Sequence, residues 1–408
     1  MNPQENKTTA LVAVEGERLP VPKKTSYWAR ISARYTLIWR VLLVALLLFS
    51  VMFILLFSRA FTYDSLFCFF KDLQTVSSFV PSDYDTVSTT YEEGEYTALS
   101  YRGGIAFVNK GGVEVYSPDG KRLLDVDVPF RYPRAVASRK YLVAFDCGGT
   151  TFSVTNSYTE LFRGETDFPI YGAEVSDSGH FALITASNDV LSQVLLYDNN
   201  FNLIQRFQRA SATVGVSVSD NGKQIALIGV AATAGTAKTV VDVYQLGKTA
   251  PDQSLSWAEE IPLSVGFTNN RHLMILTDKA MRFCDLDGRI ESETVLDGMP
   301  IAYAVGGEGA ALVLETEKIN ATHRVLVLDK RGELLYDGSF DRDVSAVALG
   351  KEEVFLLTGN EAVRIDIDKQ QQQTAIAIEN GATGLFAVDD GQIRVVYPAK
   401  VEYLSFEA

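Results

Sequence analysis

Apolar and polar positions divide the chain into regimes. From Val41 to Phe57, VLLVALLLFSVMFILLF, seventeen consecutive residues carry no charge, and Arg40 and Arg59 close the run. From Ser82 onward the apolar runs are short and alternating, rich in Val, Ile, Tyr and Phe, and separated by Gly, Asp and Asn. Alternation over a few residues places one face of an extended segment in a core, which predicts strands. Helical periodicity is absent over more than three hundred residues there. The pattern predicts one apolar helix followed by an all-β domain.

The apolar run reaches the length of a membrane span only with its flank. A bilayer core of about 30 Å needs roughly 20 helical residues. Tyr35 to Arg40 supplies the missing turn, with Arg40 reaching toward the headgroups and Tyr35 and Trp39 in the interfacial belt. The expectation is therefore a transmembrane helix over 35–58. Its exit, Ser58-Arg59-Ala60-Phe61, is a poor cleavage site, which favours an uncleaved signal anchor.

Within the β region two phrases recur. The first is a short apolar strand, a polar turn and a stronger apolar strand: VSDSGHFALITAS from Val175, VSVSDNGKQIALIGV from Val216, VGFTNNRHLMILTD from Val265 and AVALGKEEVFLLTG from Ala346. The second is a strand running into an Asp-containing turn and another strand, as in VLLYDNNFNLIQRFQ, MRFCDLDGRIESETVL and RVLVLDKRGELLYDGSF. Together they make a four-stranded unit. First strands of successive units are expected near Thr97, Ala135, Gly172, Val214, Pro262, Ala302, Val344 and Gly384, at spacings of 37 to 48 residues. That is the period of a propeller blade.

The last unit, GLFAVDDGQIRVVYPAKVEYLSFE, supplies three strands, while Asp83 to Glu92 is strand-like and lacks a local partner. Donating that piece as the outer strand of the final blade pairs an exposed edge and closes the ring. The expected fold is an eight-bladed all-β propeller closed by an N-terminal strand and preceded by one transmembrane helix. Seven blades is the alternative if 131–167 is misread. The expected organisation is a disordered basic tail (1–34), the helix (35–58), an aromatic juxtamembrane linker (59–81) and the propeller (82–408).

Charge sets the orientation. Residues 1–40 hold seven Lys or Arg against three acids, whereas the whole chain is at −14, which leaves −18 for residues 41–408. By the positive-inside rule the N-terminus is cytoplasmic and the propeller extracytoplasmic. A domain this acidic is not expected to bind nucleic acid. Three cysteines, Cys68, Cys147 and Cys284, make no disulfide framework and are expected as free thiols.

This arrangement resembles the bacterial propellers of the WD-repeat-like and quinoprotein-like groups. More narrowly, it resembles an uncharacterised bacterial family of single-pass membrane proteins with a propeller outside. The resemblance covers 82–408 in repeat period and turn phrases, and the anchor adds 35–58. The chain lacks the Gly-His and Trp-Asp pairs of WD repeats, and Trp257 is the only tryptophan of the domain, unlike quinoproteins. The resemblance implies scaffolding or ligand capture, and no cofactor.

Motifs for chemistry are sparse. His180, His272 and His323 fall in three different units, and no His-x-His or Cys-x-x-Cys spacing occurs, so no metal or catalytic site is assigned. Asp285-Leu286-Asp287-Gly288 reads as a hairpin turn, since Arg289 and Ile290 stand where a calcium loop needs oxygen ligands. Gly306-Gly307-Glu308-Gly309 opens no helix and is no phosphate loop. Val230 to Thr239, VAATAGTAKT, reads as an inserted mobile loop, with a contact loop as the sharper alternative.

Binding is expected at the joints where one blade's outer strand passes to the next blade's inner strand. The candidates are Phe130, Arg131, Tyr132 and Arg134 in one joint, Phe168 and Tyr171 in a second and Met299 in a third. Aromatic and guanidinium groups on proline-stiffened loops suit a protein or carboxylate partner. The leading functional expectation is a tethered scaffold for an envelope or surface protein, peptide or glycan, of undefined oligomeric state. A single-pass sensor and a polysaccharide-active enzyme are the alternatives, the latter requiring a carboxylate pair converging in the channel.

Overall fold

The computed structural model describes residues 27–56, 86–88 and 96–406, apart from 119, 234, 317–322, 368–372, 390 and 399. The expected tail up to residue 26 and the expected linker 59–81 lie outside the described residues. The chain divides into two units, 1–76 and 77–408.

In the first unit a 30-residue helix, α1, runs from Tyr27 to Leu56. It contains neither Gly nor Pro and is rich in Leu and other straight-chain residues, so nothing breaks it. It starts eight residues before the expected boundary at 35. Among the described residues no helix is long and apolar enough to cross a membrane. Side chains of α1 are described at 34–49 and 52 only, short of the roughly 20 residues a bilayer requires. The expected crossing by 35–58 is therefore not shown.

In the second unit the described strands form eight four-stranded antiparallel sheets. They are blade 1 (96–127), blade 2 (133–165), blade 3 (170–209), blade 4 (212–258), blade 5 (262–295), blade 6 (299–340), blade 7 (344–377) and blade 8 (384–405). Blades 1 to 7 each use four consecutive strands, and the inner strands of neighbouring blades touch in a ring that returns from blade 8 to blade 1. Blade 8 takes its outer strand from Thr86–Ser88, in the register Thr86↔Glu402, Val87↔Val401 and Ser88↔Lys400. The eight-bladed architecture and its N-terminal closing strand are as expected, and the segment 131–167 is a full blade.

The core sits in the seams. Eight clusters of buried side chains each straddle one blade-to-blade contact. The second strand of each repeat, the stronger apolar one, is the most enclosed: Phe181–Thr185 is buried at every position, whereas the outer strand Ile290–Val295 alternates between exposed and half-buried residues. Both faces of an inner strand pair pack against neighbouring blades, so apolar residues run continuously there. Phe152, Phe181 and Tyr197 stack within one seam, with Phe181 and Tyr197 nearly parallel at 4.6 Å.

The turn phrases have a common chemistry. In the outer hairpins, Asp198, Asp285 and Asp329 each accept two backbone N–H groups from residues two and four further on, at 2.8–3.0 Å. The carboxylate thereby closes the loop without a cation. Position four of the turn has a positive φ, taken by Gly288 and Gly332 and, in blade 3, by Phe201. In the inner hairpins a serine plays the same part, with Ser219 Oγ accepting from Lys223 N and Gln224 N.

One local expectation fails. Val230 to Thr239 is no mobile loop: the strands Gln224–Thr233 and Thr236–Gln245 stay paired out to Thr233↔Thr236. The pairs Val230↔Thr239, Ala231↔Lys238 and Ala232↔Ala237 carry the ladder on, so the inserted residues lengthen a hairpin.

Candidate functional site

The joints lie on one face of the ring, beside the turns between second and third strands, and are fastened by the blades they connect. Between blades 1 and 2, Asp146 Oδ1 accepts from Arg131 N at 2.9 Å and Tyr132 N at 2.6 Å, while Val128 N donates to Gly111 O and Phe130 N to Lys110 O. These bonds turn Phe130 inward, where it is 3% exposed within the seam of blades 1 and 2. Phe130 is thus a packing residue rather than a binding one, because the loop's hydrogen bonds leave its ring only the seam. Tyr132, two residues on, is 58% exposed, with the Arg131 guanidinium 5.3 Å from its ring centre. Arg134 stands exposed on the inner strand of blade 2, at a cavity of about 430 Å³ that Tyr96, Thr97 and Phe386 also line.

At the joint of blades 2 and 3, Thr166 Oγ1 donates to Phe168 O at 2.7 Å and Gly148 N to Ile170 O, which half-buries Phe168. The inner strand then slips register between Ile170 and Gly172, and the skipped residue, Tyr171, is 60% exposed. The same slip recurs at the start of the inner strand in blades 4, 5, 6 and 7, skipping Val214, Leu263, Ile301 and Ser345. A bulge of this kind redirects one side chain out of the ladder. Val214 and Ile301 are exposed, as are Ile261 and Met299 in the adjoining joints.

The structure places Tyr132, Tyr171 and Met299, with Val214, Ile261 and Ile301, at successive joints from blade 2 to blade 6, an arc of separate exposed apolar positions on the joint face. The last three were missed as candidates. Their signal was an apolar residue at or just ahead of the start of each inner strand, which strand alternation alone absorbs into the core. Exposed carboxylates, Glu165, Asp189, Glu259 and Glu315, stand on the same face.

Beneath the arc the joint of blades 4 and 5 is locked by a buried ion pair. Arg282 Nη1 and Nη2 donate to the two Glu260 oxygens at 2.6 and 2.8 Å, and Arg282 Nε donates to Glu293 at 2.7 Å. The guanidinium also lies 4.5 Å from the Trp257 ring centre, and Thr277 Oγ1 donates to Glu260 at 2.7 Å. Burial opposes the Glu260 charge, but the bonds from Arg282 and Thr277 outweigh it and hold the carboxyl below its ordinary range. The next joint repeats the device on the surface, with Arg324 bridging Asp297 and Asp337 at 2.7 Å. These pairs position the arc and are not part of it.

The opposite mouth of the channel is formed by the turns between first and second strands. A cavity of about 680 Å³ opens there, walled by Val305, Gly306, Gly307, Leu349, Gly350 and Leu385. Across the ring, Glu174 stands on the inner strand of blade 3. Cys284 is buried in its seam, its thiol pushed up to about 12 by burial, and Cys147 is half-buried.

Comparison with known proteins fixes the fold class and the family. No curated protein matches the chain in sequence. Among solved structures, BamB from Moraxella catarrhalis is similar over 79% of this chain and 97% of its own, at 12% identity and a TM-score of 0.52. Sqt1 from Chaetomium thermophilum, bound to the N-terminus of the ribosomal protein L10, is similar over 79% and 99%, at 11% identity and 0.55. Sqt1 from Saccharomyces cerevisiae gives 79% and 100%, at 9% and 0.55. Identities this low speak for the fold alone. The sequence itself matches one family over residues 79–404, the whole ring with its closing strand, and the chain accordingly belongs to the family of unknown function DUF5711.

Proposed function

We propose that this chain is a membrane-tethered binding module whose propeller docks an envelope or surface protein across the joint face. The observation that carries the docking is the apolar arc. Exposed apolar side chains on a soluble domain are normally scattered at random, and their recurrence at successive joints of one face marks a candidate interaction surface. Aromatic residues and methionine at its centre are the residue types that anchor interfaces. The rim carries charges of both signs, the carboxylates beside Lys110, Arg131, Arg134 and Lys279, which favours a partner with an apolar centre and a polar border of both signs. The structure of the C. thermophilum Sqt1 complex provides a precedent, since there a propeller of this fold holds a polypeptide N-terminus.

The tether is the apolar run 41–57 within 35–58, with the basic tail on the cytoplasmic side and the propeller outside. Reporter fusions at residues 20 and 406 test the topology, and activity of a periplasm- or exterior-dependent reporter at residue 20 would refute it. Docking is tested by capture from intact cells with the full chain as bait, beside a Tyr132→Ser/Tyr171→Ser/Met299→Ser variant and a Leu203→Ser/Leu335→Ser control elsewhere on the surface. A protein retained by wild type and control but lost from the triple variant supports the reading. Equal capture by all three sinks it.

A further inference from the structure

The seam between blades 8 and 1 is filled less than the others. Its cluster has four buried residues, Ile105, Phe107, Val396 and Val401, where every other seam cluster has eight or more. At the joint face this seam opens into the cavity of about 430 Å³, walled by Tyr96 and Ala98 of blade 1, by Phe386, Val396 and Pro398 of blade 8, and by Arg134 of blade 2. The other polar side chains of the wall are already committed. Tyr96 Oη donates to Tyr397 O, Thr97 Oγ1 to Pro133 O at 2.9 Å and Thr383 Oγ1 to Val396 O at 3.2 Å. Arg134 has no hydrogen-bond or ion-pair partner among the described residues, so its guanidinium is the open donor of the cavity.

A second guanidinium charges the same seam from within. Arg394 lies two residues from Val396 on the same strand face, about 7 Å further along the seam. It is 6% exposed and donates Nη1 to Gly104 O of blade 1 at 2.8 Å. The other buried guanidinium groups meet carboxylates: Arg209 meets Asp242, Arg282 meets Glu260 and Arg364 meets Glu353. Arg394 meets none among the described residues, and an arginine does not shed its charge on burial. The seam therefore holds an uncompensated positive charge, which an anion in the adjoining cavity offsets.

We propose that this cavity is a site for a small carboxylate carried on an apolar body, with Arg134 binding the carboxylate and Phe386 and Val396 packing against the body. A planar guanidinium with open donors matches a carboxylate through two parallel N–H bonds. The surroundings match in sign. Along the eight inner strands the charged residues are Arg134, Glu174 and Asp389, and both acids lie toward the other mouth. Lys110 and Arg131 stand exposed near the opening, while the described carboxylates there are engaged, Asp146 by Arg131 N and Tyr132 N, and Glu379 and Glu402 by Lys400. The volume is within the usual range of small-molecule sites. The cavity shares none of the arc's apolar residues, so ligand binding and protein docking can each fail alone.

The test titrates the full chain with 3-phenylpropionate at pH 7, followed by saturation-transfer NMR beside a protein-free blank. Binding should saturate with a dissociation constant of about 1 mM or below, as expected of so small a ligand. The alcohol 3-phenylpropanol, which lacks the charge, and acetate, which lacks the body, should each bind about tenfold more weakly. Arg134→Gln should weaken 3-phenylpropionate about tenfold, whereas Arg131→Gln, on the same face but outside the cavity wall, should stay within about threefold. Arg394→Met should weaken it about threefold through the lost seam charge.

One variant fills the site without touching its charges. Gly384 lines the cavity, its φ is not in the left-handed region, and a Cβ there would meet no atom within 4 Å. Gly384→Leu should therefore abolish binding while keeping the urea midpoint of wild type. Binding that survives Gly384→Leu or Arg134→Gln, equal binding of 3-phenylpropanol, or no saturation up to about 20 mM overturns the site. If Arg134→Gln does not fold, Gly384→Leu and the alcohol decide it. Unchanged affinity in Arg394→Met would overturn the part assigned to the seam charge.

Discussion

Blades 3 and 7 begin their inner strands with the same irregularity and fill it differently. In both the register slips by one residue after the first pair, but the displaced side chain is Tyr171 in blade 3 and Ser345 in blade 7. Blade 7 keeps its bulge, its seam and its joint with a serine there. The fold therefore does not require an apolar residue at this position. Tyr171, Val214 and Ile301 occupy the same place at a cost in exposed apolar surface that packing does not recover. The difference separates residues held by the scaffold from residues displayed by it, and it confines the displayed ones to one arc of the ring.

Substitutions test that separation, beginning with the scaffold. Phe130→Ala empties a seam position and should destabilise the domain by about 3–5 kcal/mol in urea or thermal unfolding. An effect below about 1 kcal/mol would return Phe130 to the displayed class. Arg282→Ala leaves Glu260 buried without its donor and should cost about 3–5 kcal/mol, whereas Glu260→Leu/Arg282→Met should cost far less. If the double replacement is as damaging as the single one, the pair contributes more than mutual neutralisation.

On the displayed side, Tyr171→Ser/Ile301→Ser copies the blade 7 solution into blades 3 and 6. Stability should change by less than about 1 kcal/mol, while partner affinity should fall by about 2 kcal/mol or more, roughly thirtyfold, in a titration with the captured partner. A large loss of stability with affinity intact would reverse the comparison. The smallest effect is expected from Ser345→Ile, which extends the arc to blade 7 and should shift unfolding by no more than about 0.5 kcal/mol. Its sharper readout is self-association at high concentration, measured by light scattering.

The ring was legible because its determinants are local. Turn serines and aspartates, in several hairpins with a glycine at the positive-φ position, mark the turns, and the strong second strands repeat between them. Expected first strands at Gly172 and Ala302 fall just after the bulge, since alternation restarts there, while the observed strands begin at Ile170 and Met299. For the same reason Val214 and Ile301 escaped notice as surface residues. The 230–239 hairpin was misread because Ala and Gly resemble loop composition, whereas its pairing depends on the partner strand. Among the joint candidates, Tyr132, Tyr171 and Met299 could be told from Phe130 only by hydrogen bonds such as those of Asp146, which join residues fifteen apart.

The closing strand has a consequence in time. Thr86 pairs with Glu402, so the two sides of the final ladder are made at opposite ends of the domain's synthesis. At roughly 5–20 residues per second, the early strand waits about 15–60 s for its partner. The seam it completes is also the smallest, with Ile105, Phe107, Val396 and Val401 as its buried residues. Every other blade can finish its own sheet as it emerges, but blade 8 is complete only when strand 400–405 arrives to pair with Thr86–Ser88. A domain interrupted before that strand would carry seven four-stranded sheets, a two-stranded eighth and an early strand without its partner, so the domain's last strand is also the one that secures its first.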